Sequence, residues 1–134
     1  MSDLAPRIAA SHDLERGLVK FAASGLFGEE QVKGGAAKIG AAAAPFIAAE
    51  KPFSILADYS DAIVQPQASA VSIRESFATA KKLGLQRIAV LNAPMLVQLQ
   101  YKRLADMVEI EFFETKVDAM GWLREVQAPA SSGA

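Results

Sequence analysis

The sequence predicts an α/β fold in which an N-terminal β-hairpin is followed by βα repeats, giving a mostly parallel, mixed five-stranded sheet with about four helices. Two observations predict it. Two adjacent strand patterns open the chain, and three further apolar strand patterns then alternate with segments whose apolar residues recur every three or four positions. This alternation is typical of parallel sheets covered by helices and joined by right-handed crossovers.

The hairpin is predicted from Arg7 to Ser11 and from Leu18 to Ala23, because turn-forming residues fill the segment between the two patterns. His12, the only histidine, falls in that segment, so we expect it to be exposed in the hairpin turn. A catalytic or metal-binding histidine needs partners, and none stands at a suitable spacing.

The first helix is predicted after Gly28, because Glu29 and Glu30 favour a helix's first turn. Its three glycines each cost about 1 kcal/mol relative to alanine, so we expect this helix to depend on packing. We expect Pro45 to kink this helix or end it early. The apolar face consists of Val32, Ala36, Ile39, Ala43 and Phe46.

The remaining elements continue the alternation. The segment 109–114 alternates apolar and acidic residues, which is typical of a strand at a sheet edge with one wet face. In order, we predict strand 53–57, a helix with Ala70, Ile73, Phe77 and Ala80 on its inner face, strand 87–92, a helix beginning at Pro94, strand 109–114 and helix 116–125. Residues 1–6 are predicted to be a flexible N-terminus, 7–126 one domain, and 127–134 a disordered tail.

Composition excludes several functional classes. The 134 residues include 14 basic and 15 acidic side chains, without the basic excess typical of nucleic-acid binding. The absence of cysteine excludes disulfides, thiolate metal sites and thiol nucleophiles. We recognise no secretory signal and no transmembrane segment, and we therefore expect a cytoplasmic protein.

Four segments carry a resemblance to a known family: "GLVKFAASGLFGEE", "FSILADYSD", "ATAKKLGLQRIAVLN" and "QYKRLADMVEIEFFETKVDAMGWL". In this order, from about Arg7 to Glu125, they resemble the SpoIIAA-like family of bacterial proteins, which is related in fold to STAS domains and to CRAL-TRIO lipid-binding domains. The resemblance implies a single SpoIIAA/STAS-like domain.

The resemblance also implies a place for a phosphorylation switch. STAS antagonists of anti-sigma factors carry a phosphoserine at the start of the helix after the third strand, within an Asp-Ser-Ser-Gly-like motif. That position falls within Gln65–Ala70, and Ser69 and Ser72 are the candidate acceptors. No aspartate precedes Ser69 and no Ser-Gly follows it, so the motif is not intact. Helix capping explains both serines as well, because Ser72 and Glu75 have capping-box spacing and Ser69 suits an N-cap.

A ligand-binding site is predicted where the parallel strands end, because ligands of α/β sheets dock at the strand carboxyl ends. The candidate residues are Asp58, Tyr59, Asn92, Met95 and Leu96. Turn formation by Asp58 and Asp61 is the competing interpretation, as is core packing for the apolar residues. We predict no catalytic residue, no metal site and no cofactor.

These observations favour a non-enzymatic regulatory or protein-interaction domain without an intact phosphoserine switch motif. The alternative is a carrier or sensor of a small hydrophobic or lipid-like ligand, implied by the CRAL-TRIO relationship. The predicted partners are a protein or a small hydrophobic molecule, with a homodimer as one form of association and nucleic acid excluded.

Overall fold

The computed structural model describes residues 5–132, with side chains described for 5–126. Strands and helices alternate as predicted after an initial pair of strands. In order the elements are β1 (Arg7–Asp13), β2 (Leu18–Ser24), α1 (Glu29–Ala48), β3 (Phe53–Asp58), α2 (Gln67–Lys82), β4 (Leu85–Leu91), α3 (Met95–Leu104), β5 (Glu109–Phe113) and α4 (Lys116–Ser132).

The five strands form one sheet in the order β1-β2-β3-β4-β5. β1 pairs antiparallel with β2, whereas the other three pairings are parallel. Because every right-handed crossover steps in the same direction along the sheet, α1, α2 and α3 lie together on one face. α4 covers part of the opposite face. The predicted mixed, mostly parallel α/β fold is confirmed.

Each face of the sheet has its own apolar core. The larger core lies beneath α1–α3 and is built around fully buried strand residues such as Val19 and Val90. The smaller one lies beneath α4, where Leu123 packs onto Leu18 and Leu56. β5 is an edge strand, with Ile110 facing the larger core and its glutamates exposed, as the alternation predicted.

His12 is exposed as predicted, but its predicted place in the hairpin turn is wrong. β1 continues to Asp13, so His12 lies on the strand and not in the turn. Its side chain is on the same side of β1 as Ile8, and its Nδ1 atom lies 3.0 Å from the Ala42 carbonyl oxygen of α1. The ring also meets Phe46 edge-on at 6.4 Å. His12 thus helps hold α1 on the sheet.

Pro45 does not end α1 early, because the helix continues to Ala48. Pro45 lacks the N–H that would bond to the Ala41 carbonyl, so α1 has one backbone hydrogen bond fewer near its C-terminus. At the other end, the Gly28 N–H donates to Gln31 Oε1 at 2.8 Å. Gly35 permits a close approach of α1 to β1, because a Cβ there would lie 2.8 Å from Ile8 Cδ1.

The capping roles predicted for Ser69 and Ser72 are also wrong. α2 begins at Gln67, directly after Pro66, and no side chain caps its N-terminus. Pro66 has the extended backbone of an N-cap residue, and its carbonyl accepts the Ala70 N–H at 2.9 Å. Both serines lie inside the helix.

α4 continues to Ser132, beyond the end predicted at Glu125. The side chains of 127–132, and residues 1–4 and 133–134 altogether, lie outside the described part of the chain. The flexible N-terminus over 1–6 and the disordered tail over 127–134 therefore stay predictions.

Candidate functional site

Two loops meet at the carboxyl edge of the sheet, one joining β2 to α1 and the other joining β3 to α2. Gly25 and Ala62 pair as an isolated parallel bridge, which extends the pairing of β2 and β3 beyond the strands. Past this bridge the loops have no ladder partners, so their backbone groups depend on side chains for hydrogen bonds.

Gln65 supplies most of those bonds, and only 7% of it is exposed. Its Oε1 atom accepts the Phe27 N–H at 2.8 Å. Its Nε2 group donates to the carbonyls of Gly25 and Ile63, both at 2.9 Å. One buried amide therefore bonds to both loops at once.

Gln100 of α3 adds a third segment. Its Oε1 atom accepts the Gln65 backbone N–H at 2.8 Å, and its Nε2 group donates to the Gln65 carbonyl at 2.9 Å. Ser69 completes the set, because its hydroxyl donates to the Phe27 carbonyl at 2.5 Å. We call Phe27, Gln65, Ser69 and Gln100 the glutamine clasp.

The side-chain polar atoms of Gln65, Ser69 and Gln100 all have partners within the clasp or its loops. Throughout the described residues, no buried side-chain nitrogen or oxygen lacks a hydrogen bond. A fully paired buried network is rigid, because each bond is strengthened by the low local dielectric. Sequence patterns missed Gln65 and Gln100, since a glutamine before Pro66 and another within a helix both read as solvated residues.

The five predicted ligand-binding residues do not share one cavity. Asp58 is exposed at the end of β3, where its Oδ1 atom accepts the N–H and hydroxyl of Ser60 at 3.0 and 2.6 Å. This is the turn geometry of the competing interpretation. Asp58 also lines a cleft of about 200 Å³ beside β1 and β2. Tyr59 is instead buried, against Tyr101 and Phe21.

The other three residues lie after β4. Asn92 has a left-handed backbone, with φ of 58°, and its N–H donates to the Phe113 carbonyl at 2.9 Å. Met95 and Leu96 begin α3 and are 67% and 66% exposed. Neither lines the cleft beside Asn92 nor the one beside Asp58. Ligand binding by the five residues stays a prediction.

Exposed apolar side chains are instead grouped along α3 and the neighbouring start of α2. Val64 precedes Gln65, so it lies beside the turn of α3 that carries Gln100. Arg74 of α2 donates to the Arg103 carbonyl at 3.1 Å, which fixes the relative height of the two parallel helices. Val71 and Leu99 stand one turn earlier on each helix, and both are exposed. We call this surface the α3 patch: Val64, Val71, Met95, Leu96 and Leu99.

A separate apolar groove of about 340 Å³ runs between α1 and α2. Phe53 and Ile55 of β3 form its floor, and Lys33 and Glu75 stand at its rim. Gly40 leaves one wall open, because nothing lies within 4 Å of where its Cβ would be. The predicted apolar face of α1 forms this wall, although the sequence did not indicate that the face would be only partly covered.

Within the described ranges, the chain has neither a group of metal-binding side chains nor a helix that could span a membrane. Over the side chains of 5–126, no three histidine, aspartate or glutamate residues are grouped so as to hold a metal ion. No helix in the part of the chain that the structure describes is long and apolar enough to cross a membrane.

Two solved structures resemble this one closely enough to define its architecture. An uncharacterized DUF3478-family protein from Shewanella loihica PV-4, described as having a SpoIIAA-like fold, has a TM-score of 0.67 and 22% identity over 92% of this chain and 98% of that one. The chain adopts a SpoIIAA-like fold. An anti-sigma factor antagonist from Mycobacterium paratuberculosis gives a TM-score of 0.57 and 15% identity over 92% of this chain and 97% of that one. No family model and no curated protein sequence matches the chain.

In this SpoIIAA-like domain, the two serine candidates have different surroundings. Ser69 is 2% exposed, and its hydroxyl is bound to the Phe27 carbonyl. Ser72 is half-buried in the second turn of α2, where its carbonyl accepts the Ser76 hydroxyl at 3.0 Å. Phosphorylation of Ser69 would require the clasp to open, because a phosphate has no room at a buried hydroxyl.

Replacing Gln65 by alanine tests the clasp. We expect Gln65→Ala to lower the free energy of unfolding by about 3 kcal/mol, because the buried Phe27 N–H and Gly25 carbonyl lose their partner. The matched control is Gln67→Ala, at an exposed position of the same helix start, with an expected change within about 0.5 kcal/mol. Denaturant unfolding measures both, and equal losses in the two variants would contradict the structure.

Alkaline titration tests the packing of Tyr59 and Tyr101, the only tyrosines. Burial raises the pKa of Tyr59 well above its usual 10.0. Burial also raises the pKa of Tyr101 to about 12, with a hydrogen bond from Tyr59 acting in the opposite direction. Both tyrosines therefore ionise at a lower pH in the unfolded chain than in the folded one. The stability that their burial contributes is complete below pH 10 and is lost as the pH rises toward about 12.

We therefore expect tyrosinate absorbance to stay absent until the chain unfolds, and then to appear for both residues together. Absorbance and circular dichroism recorded on the same samples measure this. A tyrosine that titrates near pH 10 while the circular dichroism remains native would show that the ring is solvated.

Proposed function

We propose that this SpoIIAA-like domain is a non-enzymatic regulatory domain that works by binding a protein partner through the α3 patch. The observation that carries the proposal is the exposure of Met95 and Leu96 on a helix that the clasp holds rigidly in place. The anti-sigma factor antagonist among the similar structures supports a regulatory role of this kind.

The physical properties of the patch fit a docking surface. Contiguous exposed apolar groups on a folded domain mark interaction sites more often than isolated ones do. Methionine adapts its shape to different surfaces, which suits Met95 to an interface. Because the clasp fixes α3 before binding, little conformational entropy would be lost in the complex.

The patch also indicates the chemistry of its partner. Lys102 and Arg103 are exposed in the last turn of α3, next to the apolar end formed by Leu99. An amphipathic helix with an apolar face and acidic side chains at one end would match both features. The proposed ligand of the α3 patch is such a helix, supplied by a partner protein.

Regulation in this proposal does not use phosphorylation of Ser69. Its burial and its bond to Phe27 support a structural role for the hydroxyl. The sequence around it also lacks the Asp-Ser-Ser-Gly-like motif. The absence of an enzymatic role is supported by the environment of His12, which bonds to Ala42 of α1 and has no nucleophile beside it among the described contacts.

The partner-binding proposal is tested with Leu96→Asp. We expect the variant to fold normally, because the side chain is largely exposed, and to bind a purified partner at least about tenfold more weakly, because a carboxylate would be desolvated in the apolar interface. Affinity capture from the source cells, with and without the substitution, identifies the partner, and calorimetry with the purified partner then measures the loss.

Leu14→Asp is the matched control, since Leu14 is similarly exposed but lies in the β1–β2 turn. Equal capture by wild type, Leu96→Asp and Leu14→Asp would contradict the proposal. Light scattering of the wild type and both variants measures self-association. If Leu96→Asp alone loses self-association, the partner is a second copy of the chain and not a different protein.

The groove between α1 and α2 favours a second candidate function, the carrying or sensing of a small hydrophobic ligand. Its volume of about 340 Å³ falls within the range of ligand pockets, and its walls are mostly apolar. Glu75 and Lys33 at the rim would orient a polar end group toward solvent. The fold relationship of SpoIIAA-like proteins to CRAL-TRIO domains, which the sequence resemblance implies, would agree with this use.

Filling the groove tests this candidate. We expect native mass spectrometry of the purified wild type to retain a small hydrophobic molecule, and Gly40→Leu to lose it because the new side chain projects into the groove. Gly34→Leu is the control, since Gly34 is also exposed on α1 with open space around it but does not line the groove. Wild type that is empty after every preparation would rule the carrier out.

A further inference from the structure

The face of the sheet beneath α4 is only partly covered. The described part of α4 packs mainly on β3, β4 and β5 and reaches only Leu18 at the start of β2, whereas Lys20 and Ala22 of β2 on that face are exposed. A cleft of about 350 Å³ lies along this open flank, between the side of α4 and the start of β2.

Positive charge is concentrated in this cleft. Four cationic side chains line it, from the hairpin turn, β2 and both ends of one row on α4: Arg16, Lys20, Lys116 and Arg124. Asp13 is the one acidic side chain in the lining, and Arg16 pairs with it at 2.8 Å. Hydrogen bonds from Arg16, and then the charges of Arg16 and Lys20, lower the pKa of Asp13.

The charges do not follow from a generally basic chain, because the net charge is −1. Within the residues whose side chains are described, no carboxylate forms a salt bridge with Lys20, Lys116 or Arg124. Three like charges around one cleft repel each other, which costs stability unless an anion is present.

We propose that this cleft binds a phosphate-ester anion carrying two or more negative charges. Lys116 and Arg124 are two turns apart on one side of α4, so their Cα atoms are about 12 Å apart. An anion with charges at two points matches that spacing better than a single small ion. Arginine and lysine together suit phosphate, because the arginine guanidinium offers two coplanar N–H donors and the lysine ammonium is a mobile point charge.

The rest of the lining indicates that the ligand is not purely ionic. Met120 and the exposed Val117 stand between the cationic ends of the α4 row, with Leu18 below them. An apolar portion of the ligand would contact these side chains while its phosphates reach the cations. A soluble phosphorylated compound and an anionic lipid headgroup share this chemistry, and the experiment distinguishes them.

This site is independent of the proposed function, because it lies across the sheet from the α3 patch. The test uses calorimetry with tripolyphosphate at low ionic strength, where exposed charges are least screened. A second arm measures sedimentation with vesicles of phosphatidylcholine, with and without phosphatidylinositol 4-phosphate. We expect Lys20→Gln combined with Arg124→Gln to weaken binding about tenfold, since exposed charge contacts contribute up to about 1 kcal/mol each.

The control is Lys51→Gln combined with Lys82→Gln, which removes the same charge from exposed positions outside the cleft. Tripolyphosphate binding that only the cleft variant weakens supports a soluble ligand. Binding confined to vesicles with phosphatidylinositol 4-phosphate and lost in the cleft variant supports a headgroup. Equal weakening by both variants, or no binding of either probe by the wild type, overturns the proposal.

Discussion

The buried amide of Gln65 is the constraint on which the loops at the carboxyl edge of the sheet depend. The two loops that meet there leave the sheet, so the backbone groups of Gly25 and Phe27 have no strand to pair with. Leaving such groups unpaired in the interior costs several kcal/mol in total. Gln65 satisfies both groups, and Gln100 then pairs with the backbone of Gln65 as a neighbouring strand would.

The same contact fixes the helix that displays the α3 patch. α3 is tied to the β3–α2 loop through Gln100, so the apolar residues around Leu96 are displayed on a fixed helix. Ser69 belongs to the same clasp, because its buried hydroxyl donates to the Phe27 carbonyl. Across the sheet, α4 leaves open a flank that is lined by cationic side chains.

Residue periodicity was sufficient to predict the order of elements, because burial against a sheet imposes a period on each strand and helix. β5 illustrates this: alternating Ile110 and Glu111 indicated an edge strand, and it lies at the edge. His12 was misplaced because turn-forming neighbours outweighed its strand position in the pattern, while its bond to Ala42 joins residues distant in sequence. Gln65 was missed because its partners are also distant in sequence. No local pattern distinguishes a glutamine that pairs with a distant backbone from one that is solvated.

Amide hydrogen exchange at Phe27 and Gln65 tests the clasp most directly. Both N–H groups lie in loops, outside any helix or strand, and each donates only to a glutamine side chain. The structure predicts that both exchange as slowly as core amides of β3 and β4, because they open only when the fold does. Exchange as fast as that of an exposed turn amide such as Glu15 would show that Gln65 does not hold these loops together.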